Sequence, residues 1–428
     1  MEKYSSYKNS GVQWLGQIPS HWEVKHLRNF LTLFSEKGFG HAQLLSVTRE
    51  KGVILRDKDD KEENHNFVPD DLSGYKHLMP GDFVINKMKS WQGSYGVSKY
   101  EGIVSPAYFT CKLKGVDPQF FSQAIRSKAY IGFFMQYSKG IRVDQWDLDP
   151  SSMKDIPFIL PPLDEQKRIV PYLDAATAKI DEAIAQQQRM IDLLHERKRI
   201  IISKAVTIGL GGECETKDSG VSWIGSINRG WDLYKLKFLL SEHLMYGANE
   251  SAERENESYP RYIRITDIDE DGNLKPDTFV SLSPTKAAPY LLKKGDILFA
   301  RSGATAGKTF LFKEDTQACF AGYLIKASLG DRLLPEYLSY YTSSGIYDNW
   351  KNSIFIQATI PNIGAEKYGM LQIPLPSVDE QKMIIDYLDK EVGKLMTAIG
   401  DFKRKISLLQ ERKQIIINDV VSGKVKVV

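Results

Sequence analysis

The chain lacks most of the features that mark enzymes, secreted proteins or membrane proteins. It has three cysteines in 428 residues, Cys111, Cys214 and Cys319, far apart and with no CxxC pair. That spacing argues against a disulfide framework and a thiolate metal site, and it fits a reducing cytoplasm. Each is expected to serve as a small buried hydrophobe. No apolar run reaches the roughly 18 residues a membrane helix needs. The first residues, Met1-Glu2-Lys3-Tyr4-Ser5, hold no apolar signal core. The seven histidines show no ligand spacing and HExxH is absent. No GxGxxG follows a strand to open a helix, and no Asn/Asp-Pro-Pro-Tyr/Phe motif of the amino-methyltransferase kind occurs. Carboxylates are plentiful but form no nuclease-like cluster.

A large charge excess is also missing. The 57 basic residues nearly balance 54 acidic ones, leaving a net charge of +3. A nucleic-acid footprint on this chain must therefore be local, or another subunit must supply much of the phosphate contact.

What the chain does have is a copy of itself. Gly11-Val12-Gln13-Trp14-Leu15-Gly16-Gln17-Ile18-Pro19, with Trp22, returns as Gly220-Val221-Ser222-Trp223-Ile224-Gly225-Ser226-Ile227-Asn228, with Trp231. The offset is constant at 209 residues (220 − 11 and 231 − 22). Leu160-Pro161-Pro162-Leu163-Asp164-Glu165-Gln166-Lys167 returns as Leu375-Pro376-Ser377-Val378-Asp379-Glu380-Gln381-Lys382, now at offset 215 (380 − 165). Leu193-Leu194-His195-Glu196-Arg197-Lys198 returns as Leu408-Leu409-Gln410-Glu411-Arg412-Lys413. Between these blocks the halves barely match. The pattern describes one scaffold carrying two different readers.

The scaffold reads as two long helices. From Asp164 to about Thr207, apolar residues fall at Ile169, Leu173, Ala176, Ile180, Ile184, Ile191, Leu194, Ile201 and Ala205. Gln187 and Lys198 complete a heptad seam. The copy runs through Ile384, Leu388, Glu391, Leu395, Ile399, Phe402, Ile406, Leu409, Lys413, Ile416 and Val420. Asp164 and Asp379 are the expected N-caps, and Gly209 and Gly423 the expected stops. Each helix would be about 65 Å long. Two seams of equal length most simply pack on each other; running antiparallel, they would place the inserts at opposite ends. Pro171 predicts a kink, or a helix that effectively begins there. Lys198 and Lys413 occupy matching seam positions. They are either solvated edge charges or a polar layer that fixes register or docks a partner.

The inserts, about 20–160 and 230–375, carry strand signals. Gly81-Asp82-Phe83-Val84-Ile85-Asn86 and Gly295-Asp296-Ile297-Leu298-Phe299-Ala300 read as a turn and a short buried strand. A polar loop follows each, from Lys87 to Gly96 and from Arg301 to Lys308, and then a second strand. Further polar loops run from Gly140 to Trp146, from Ile356 to Asn362 and from Tyr262 to Asp267. Their side chains suit phosphates and base edges. The candidate DNA contacts are Lys87, Lys89, Trp91, Gln92, Tyr95, Arg142 and Trp146 in the first insert. In the second they are Arg264, Thr266, Arg301, Ser302, Lys308, Gln357 and Thr359. Arg301 and Lys308 suit guanine or phosphate, and Gln357 suits adenine. Gly303-Ala304-Thr305-Ala306-Gly307-Lys308-Thr309 nearly spells a phosphate-binding loop, but three residues separate its glycines where four are needed, and a strand is expected next.

With its duplicated Trp-x-Gly-x-Ile opening blocks and Pro-x-x-Asp-Glu-Gln helix starts, the chain resembles the specificity subunit of type I restriction-modification enzymes over essentially its whole length. The resemblance implies an α+β fold: two α/β target recognition domains joined by two long antiparallel coiled-coil helices, with a pseudo-two-fold internal repeat. The expected domains are 1–160 and 211–375 for recognition, with conserved helical regions at 161–210 and 376–428. Each recognition domain would read one half of a bipartite, asymmetric double-stranded DNA site, with the helices setting the spacer. Two modification subunits would bring S-adenosylmethionine and adenine N6 methylation. Restriction subunits would add ATP- and Mg-dependent translocation and cleavage. The chain itself would need no cofactor and catalyse nothing. Two other readings stay open: a stand-alone nuclease or nucleotide hydrolase using the Gly303 loop, and a coiled-coil adaptor whose β-domains bind protein.

Overall fold

Two uninterrupted helices, Leu163–Thr207 of 45 residues and Val378–Val421 of 44 residues, follow from the heptad pattern. Every predicted seam position on both is buried or half-buried. The computed structural model describes residues 2–13, 15–57, 68–140, 146–211, 214–252, 256–269, 272–355 and 361–427. The chain divides into two compact units: Met1–Gln188 with Arg404–Val428, and Arg189–Lys403. Among the described residues, no helix is long and apolar enough to cross a membrane.

The helix starts differ from expectation by two residues. The first intrahelical bonds run from Gln166 N–H to the Pro162 carbonyl and from Gln381 N–H to the Ser377 carbonyl. Pro162 and Ser377 are therefore the N-caps. The Ser377 hydroxyl accepts from the Glu380 N–H at 3.3 Å. Asp164 and Asp379 stand inside the first turn, where a carboxylate still offsets the positive helix end. The helix neither begins nor breaks at Pro171, which lies on its exposed face. The Lys167 carbonyl that loses its partner there is on an exposed residue too, so water can satisfy it.

In the first unit, Leu31–Phe34 (β1), Phe83–Ile85 (β2), Tyr95–Val97 (β3) and Phe109–Leu113 (β4) form an antiparallel sheet in the order β1-β4-β2-β3. Helices Pro118–Ile125 and Lys128–Gln136 follow. Phe83, Tyr95, Phe120, Phe121, Phe134 and Phe158 fill the core, and Ile169, Leu173 and Val420 of the long helices close it.

The second unit repeats that topology. Met245–Tyr246 (β5), Ile297–Ala300 (β6), Thr309–Leu311 (β7) and Leu324–Ala327 (β8) pair in the order β5-β8-β6-β7. Helices Pro335–Thr342 and Gly345–Phe355 follow. The added strands differ. The first unit has an antiparallel hairpin, Leu45–Thr48 with Gly52–Leu55, where the second pairs Arg261–Ile263 in parallel with Ala318–Phe320. Asp82 and Asp296 make the expected turns, accepting from Met79 N–H at 2.9 Å and Lys293 N–H at 2.7 Å. Cys111 and Cys319 lie fully in the core, where burial pushes both thiols up to about 12; Cys214 is half-buried.

The repeated blocks lock each unit to its helix segments. Trp22 Nε1 donates to Glu165 at 2.9 Å, and Trp231 Nε1 donates to Glu380 at 3.1 Å. The next residue, a glutamine, ties the turn down from the other side. Gln166 accepts from the Asp117 N–H at 2.8 Å and donates to the Pro161 carbonyl at 2.8 Å. Gln381 accepts from the Leu334 N–H at 2.9 Å and donates to the carbonyls of Arg332 and Pro376 at 2.8 and 3.0 Å. Asp117 and Leu334 are the N-caps of the corresponding short helices.

Each tryptophan also meets a helix stop. A Cβ on Gly423 (φ +75°) would lie 3.0 Å from the Trp22 ring, and one on Gly209 (φ +90°) 3.2 Å from the Trp231 ring. Glycine is required at both places by the left-handed backbone and by the close ring. In the first unit, then, the start of the first long helix lies beside the end of the second. In the second unit, the start of the second lies beside the end of the first. The helix segments are antiparallel within each unit. Trp14 of the opening block lies outside the described residues.

Candidate nucleic-acid interface

The polar loops that follow β2 and β6 close in the same way. The Asn86 N–H donates to the Ser94 carbonyl at 3.0 Å, and the Ala300 N–H donates to the Lys308 carbonyl at 2.8 Å. Each loop then takes a second strap from the segment preceding its long helix. The Leu148 N–H donates to the Lys87 carbonyl at 3.1 Å, and the Ile363 N–H donates to the Arg301 carbonyl at 2.8 Å. Lys87 and Arg301 occupy one position of a shared frame, and so do Leu148 and Ile363.

In the first unit, these bonds bring Lys87, Trp91 and Trp146 together. Lys87 Nζ pairs with Asp147 at 3.0 Å. The Trp91 and Trp146 rings stand 5.2 Å apart at 55°. Trp91 Nε1 donates to the Met88 carbonyl at 3.2 Å, which fixes the ring. Lys89 is exposed and Gln92 half-buried. Tyr95 is a correction. It opens β3 with its ring in the core, fully buried, packed 4.2 Å from Phe134. Its hydroxyl has no partner among the described residues, and burial pushes the phenol up. It has no surface to offer a ligand. Arg142 lies outside the described residues.

In the second unit, the Arg301–Lys308 loop is anchored from below by two buried tyrosines. The Tyr368 hydroxyl donates to the Ala300 carbonyl at 2.6 Å, and the Tyr347 hydroxyl donates to the Gly307 carbonyl at 3.0 Å. Gly303 N–H donates to the Pro361 carbonyl at 3.2 Å, and Ser302 pairs with Asn362 in a single β-bridge. Lys308 Nζ donates to the Ile268 carbonyl at 3.2 Å, joining this loop to the one containing Thr266. Two predicted loops of this insert thus touch through described residues, and the third is reached at Ile268, the residue after it. Gln357 and Thr359 lie outside the described residues.

Two candidate side chains of this loop group are already tied to protein partners. Arg264 is held by Asp267, with Nε at 3.2 and 3.1 Å and a terminal nitrogen at 2.8 Å. That hydrogen bonding pushes its guanidinium up further. Lys308 is a strut between loops. Both make structural ties within the loop group. As expected, the Gly303 turn is followed by a strand, β7, so it lacks the helix N-terminus a phosphate-binding loop uses. Thr266 is exposed and Ser302 half-buried. Among the described residues, no three His, Cys, Asp or Glu side chains group as metal ligands.

Arg301 differs from its neighbours. Its guanidinium lies over the Tyr246 ring, 5.1 Å from the centroid. Its Nε is buried and has no acceptor among the described residues. Tyr246, Tyr347 and Tyr368 were not among the sequence candidates. They fall outside the repeated blocks, and each reaches its partner across a long stretch of chain.

Residues 230–401 match the family model for the type I restriction modification DNA specificity domain. The type I restriction enzyme MjaVIII specificity subunit of Methanocaldococcus jannaschii is 23% identical, covering 96% of this chain and 94% of its own. The type I restriction enzyme EcoKI specificity subunit of Escherichia coli strain K12 is 21% identical, covering 91% and 88%. Among solved structures, a chain from work on complex assembly and conformational transition of the type I R-M system shares the fold, with a TM-score of 0.61 at 17% identity. That match covers 95% of this chain and 99% of the other. Residues 230–401 of the second unit thus resemble that DNA specificity domain, and over nearly its whole length the chain is similar to specificity subunits of type I restriction enzymes.

Proposed function

We propose that this chain is the DNA-recognition subunit of a type I restriction-modification enzyme, with each unit reading one half of a bipartite, asymmetric site. One observation carries the reading: the two units share sheet order, tryptophan lock and loop necks, while the side chains on the loops differ. A common frame with unlike loops is what two unlike half-sites require. Lys87, Trp91 and Trp146 offer a cation and two aromatic faces in the first unit; Arg301 and Ser302 offer donors in the second. A good bidentate contact discriminates by about 1–3 kcal/mol, so a few per unit suffice when partners hold the backbone. The long helices set the number of bases between the halves. Adenine N6 methylation, with S-adenosylmethionine, belongs to two modification subunits, and ATP- and Mg-dependent cleavage to restriction subunits. The assembly works in the cytoplasm.

The partner reading has its own support. In the second unit, Leu193 and Ile200 of the first long helix are 63% and 58% exposed. In the first unit, Leu408 and Ile415 of the second long helix are 60% and 53% exposed. Both pairs are spaced by seven residues, and both matches lie at offset 215 (408 − 193 and 415 − 200). A duplicated apolar stripe suits two copies of one partner. The experiment for the whole reading is a genome-wide map of N6-methyladenine in a host with and without this chain. A bipartite motif that vanishes with the chain is the expected result; an unchanged map overturns it.

A further inference from the structure

Arg301 is held more tightly than the other basic side chains of its loop group. A phosphate contact positions the protein on the duplex whatever the base sequence, whereas reading a base edge needs a guanidinium held in one plane. In the second unit that plane is set by Tyr246. The ring lies under the guanidinium at 5.1 Å. It is fixed in turn, because its hydroxyl accepts from the Ala365 N–H at 3.0 Å. The Arg301 backbone is pinned on both sides: its N–H donates to the Tyr323 carbonyl at 2.9 Å and its carbonyl accepts from Ile363 at 2.8 Å. Nε faces inward without an acceptor among the described residues. No carboxylate pairs with the guanidinium among the described residues, whereas Arg264 has Asp267, and Arg199 and Lys351 share Asp348. The unengaged part of Arg301 is the edge carrying its two terminal nitrogens, a flat pair of donors.

We propose that Tyr246 is a positioning residue that holds Arg301 for a bidentate contact to a guanine in the half-site read by the second unit. Two parallel N–H donors on a fixed plane match the O6 and N7 acceptors of guanine in the major groove. The aromatic face stabilises the cation without occupying those donors, which a carboxylate would. Lysine at position 301 keeps the charge and loses the fork. The proposal rests on the DNA-recognition reading above.

The test uses the chain assembled with its modification subunits and scores methylation across a library in which every base of the site is varied. Arg301→Lys and Arg301→Ala are expected to lower the preference for guanine at one position of one half-site by about 5-fold or more. All other positions should keep their preference. Tyr246→Leu is expected to relax the same position, and Tyr246→Phe, which keeps the ring under the guanidinium but loses the Ala365 bond, to relax it less. If Arg301→Ala weakens all sequences alike and makes binding less salt-dependent while Arg301→Lys leaves both largely unchanged, Arg301 is a phosphate contact and the proposal fails. If Tyr246→Leu leaves that position unchanged while Arg301→Lys relaxes it, the positioning role fails. A wild-type assembly with no base preference overturns the recognition reading itself. A wild type with a bipartite preference that Arg301→Lys shares overturns only this proposal.

Discussion

Lys413 Nζ lies 2.7 and 2.6 Å from the two carboxylate oxygens of Asp181, joining the long-helix segments of the first unit. The corresponding contact in the second unit is Lys198 Nζ at 3.5 Å from Met396 Sδ. Both pairs are related by the same offset of 215 (413 − 198 and 396 − 181). One lysine layer therefore recurs at matching seam positions, and only its partner has changed.

That layer predicts a modest, salt-dependent contribution. Asp181→Asn should cost about 0.5–1 kcal/mol at low salt and less at high salt, as for a partly exposed pair. A double-mutant cycle with Lys413→Met measures the coupling by urea unfolding. A coupling of zero would leave the lysine as a solvated edge charge.

Acid sensitivity should trace to Glu165. Its partial burial would raise its pKa, but hydrogen bonds from His21, Trp22 and Tyr4 outweigh this and hold the carboxyl below the usual glutamate range. A depressed folded pKa stabilises the fold above the unfolded value of about 4.3, and that contribution is lost as pH falls through the folded pKa. Urea midpoints measured downward from pH 5 should fall more steeply for the wild type than for Glu165→Gln. Equal slopes would contradict the assignment.

Tyr95→Phe should be tolerated or slightly stabilising. The hydroxyl is buried without a partner among the described residues, so its removal relieves a desolvation cost of about 1–3 kcal/mol and leaves the ring packing in place. Methylation specificity should not change. A loss of specificity with an intact fold would return Tyr95 to the reading surface.

The apolar stripes predict a stoichiometry. Leu193→Glu with Ile200→Glu should reduce the bound modification subunits from two to one by native mass spectrometry, and adding Leu408→Glu and Ile415→Glu should remove the second. Retention of both subunits in the four-fold variant would place docking elsewhere.

Much of the frame was legible because it obeys local rules. The heptad spacing gives both long helices, and Gly209 and Gly423 give their ends, since periodicity and left-handed glycine are encoded within a few residues. The N-caps lie two residues before the expected aspartates, because a proline and a serine take the capping place and leave Asp164 and Asp379 inside the first turn. The locks were not legible. Trp22 and Glu165 are 143 residues apart, and Trp231 and Glu380 are 149 apart, so their bonds exist only once the chain has folded. The loops were legible as polar, but not in their geometry. Tyr95 follows a polar loop in sequence, yet it opens β3 and its ring lies in the core. The protein partners of Arg264 and Lys308, Asp267 and the Ile268 carbonyl, meet them only in three dimensions.

The central claim is that one frame carries two independent readers. Replacing residues 230–375 with the corresponding segment of a relative that reads a different site, then mapping N6-methyladenine, tests it most directly. The account predicts a new base sequence in one half of the motif, with the other half retained. A change in both halves would contradict it.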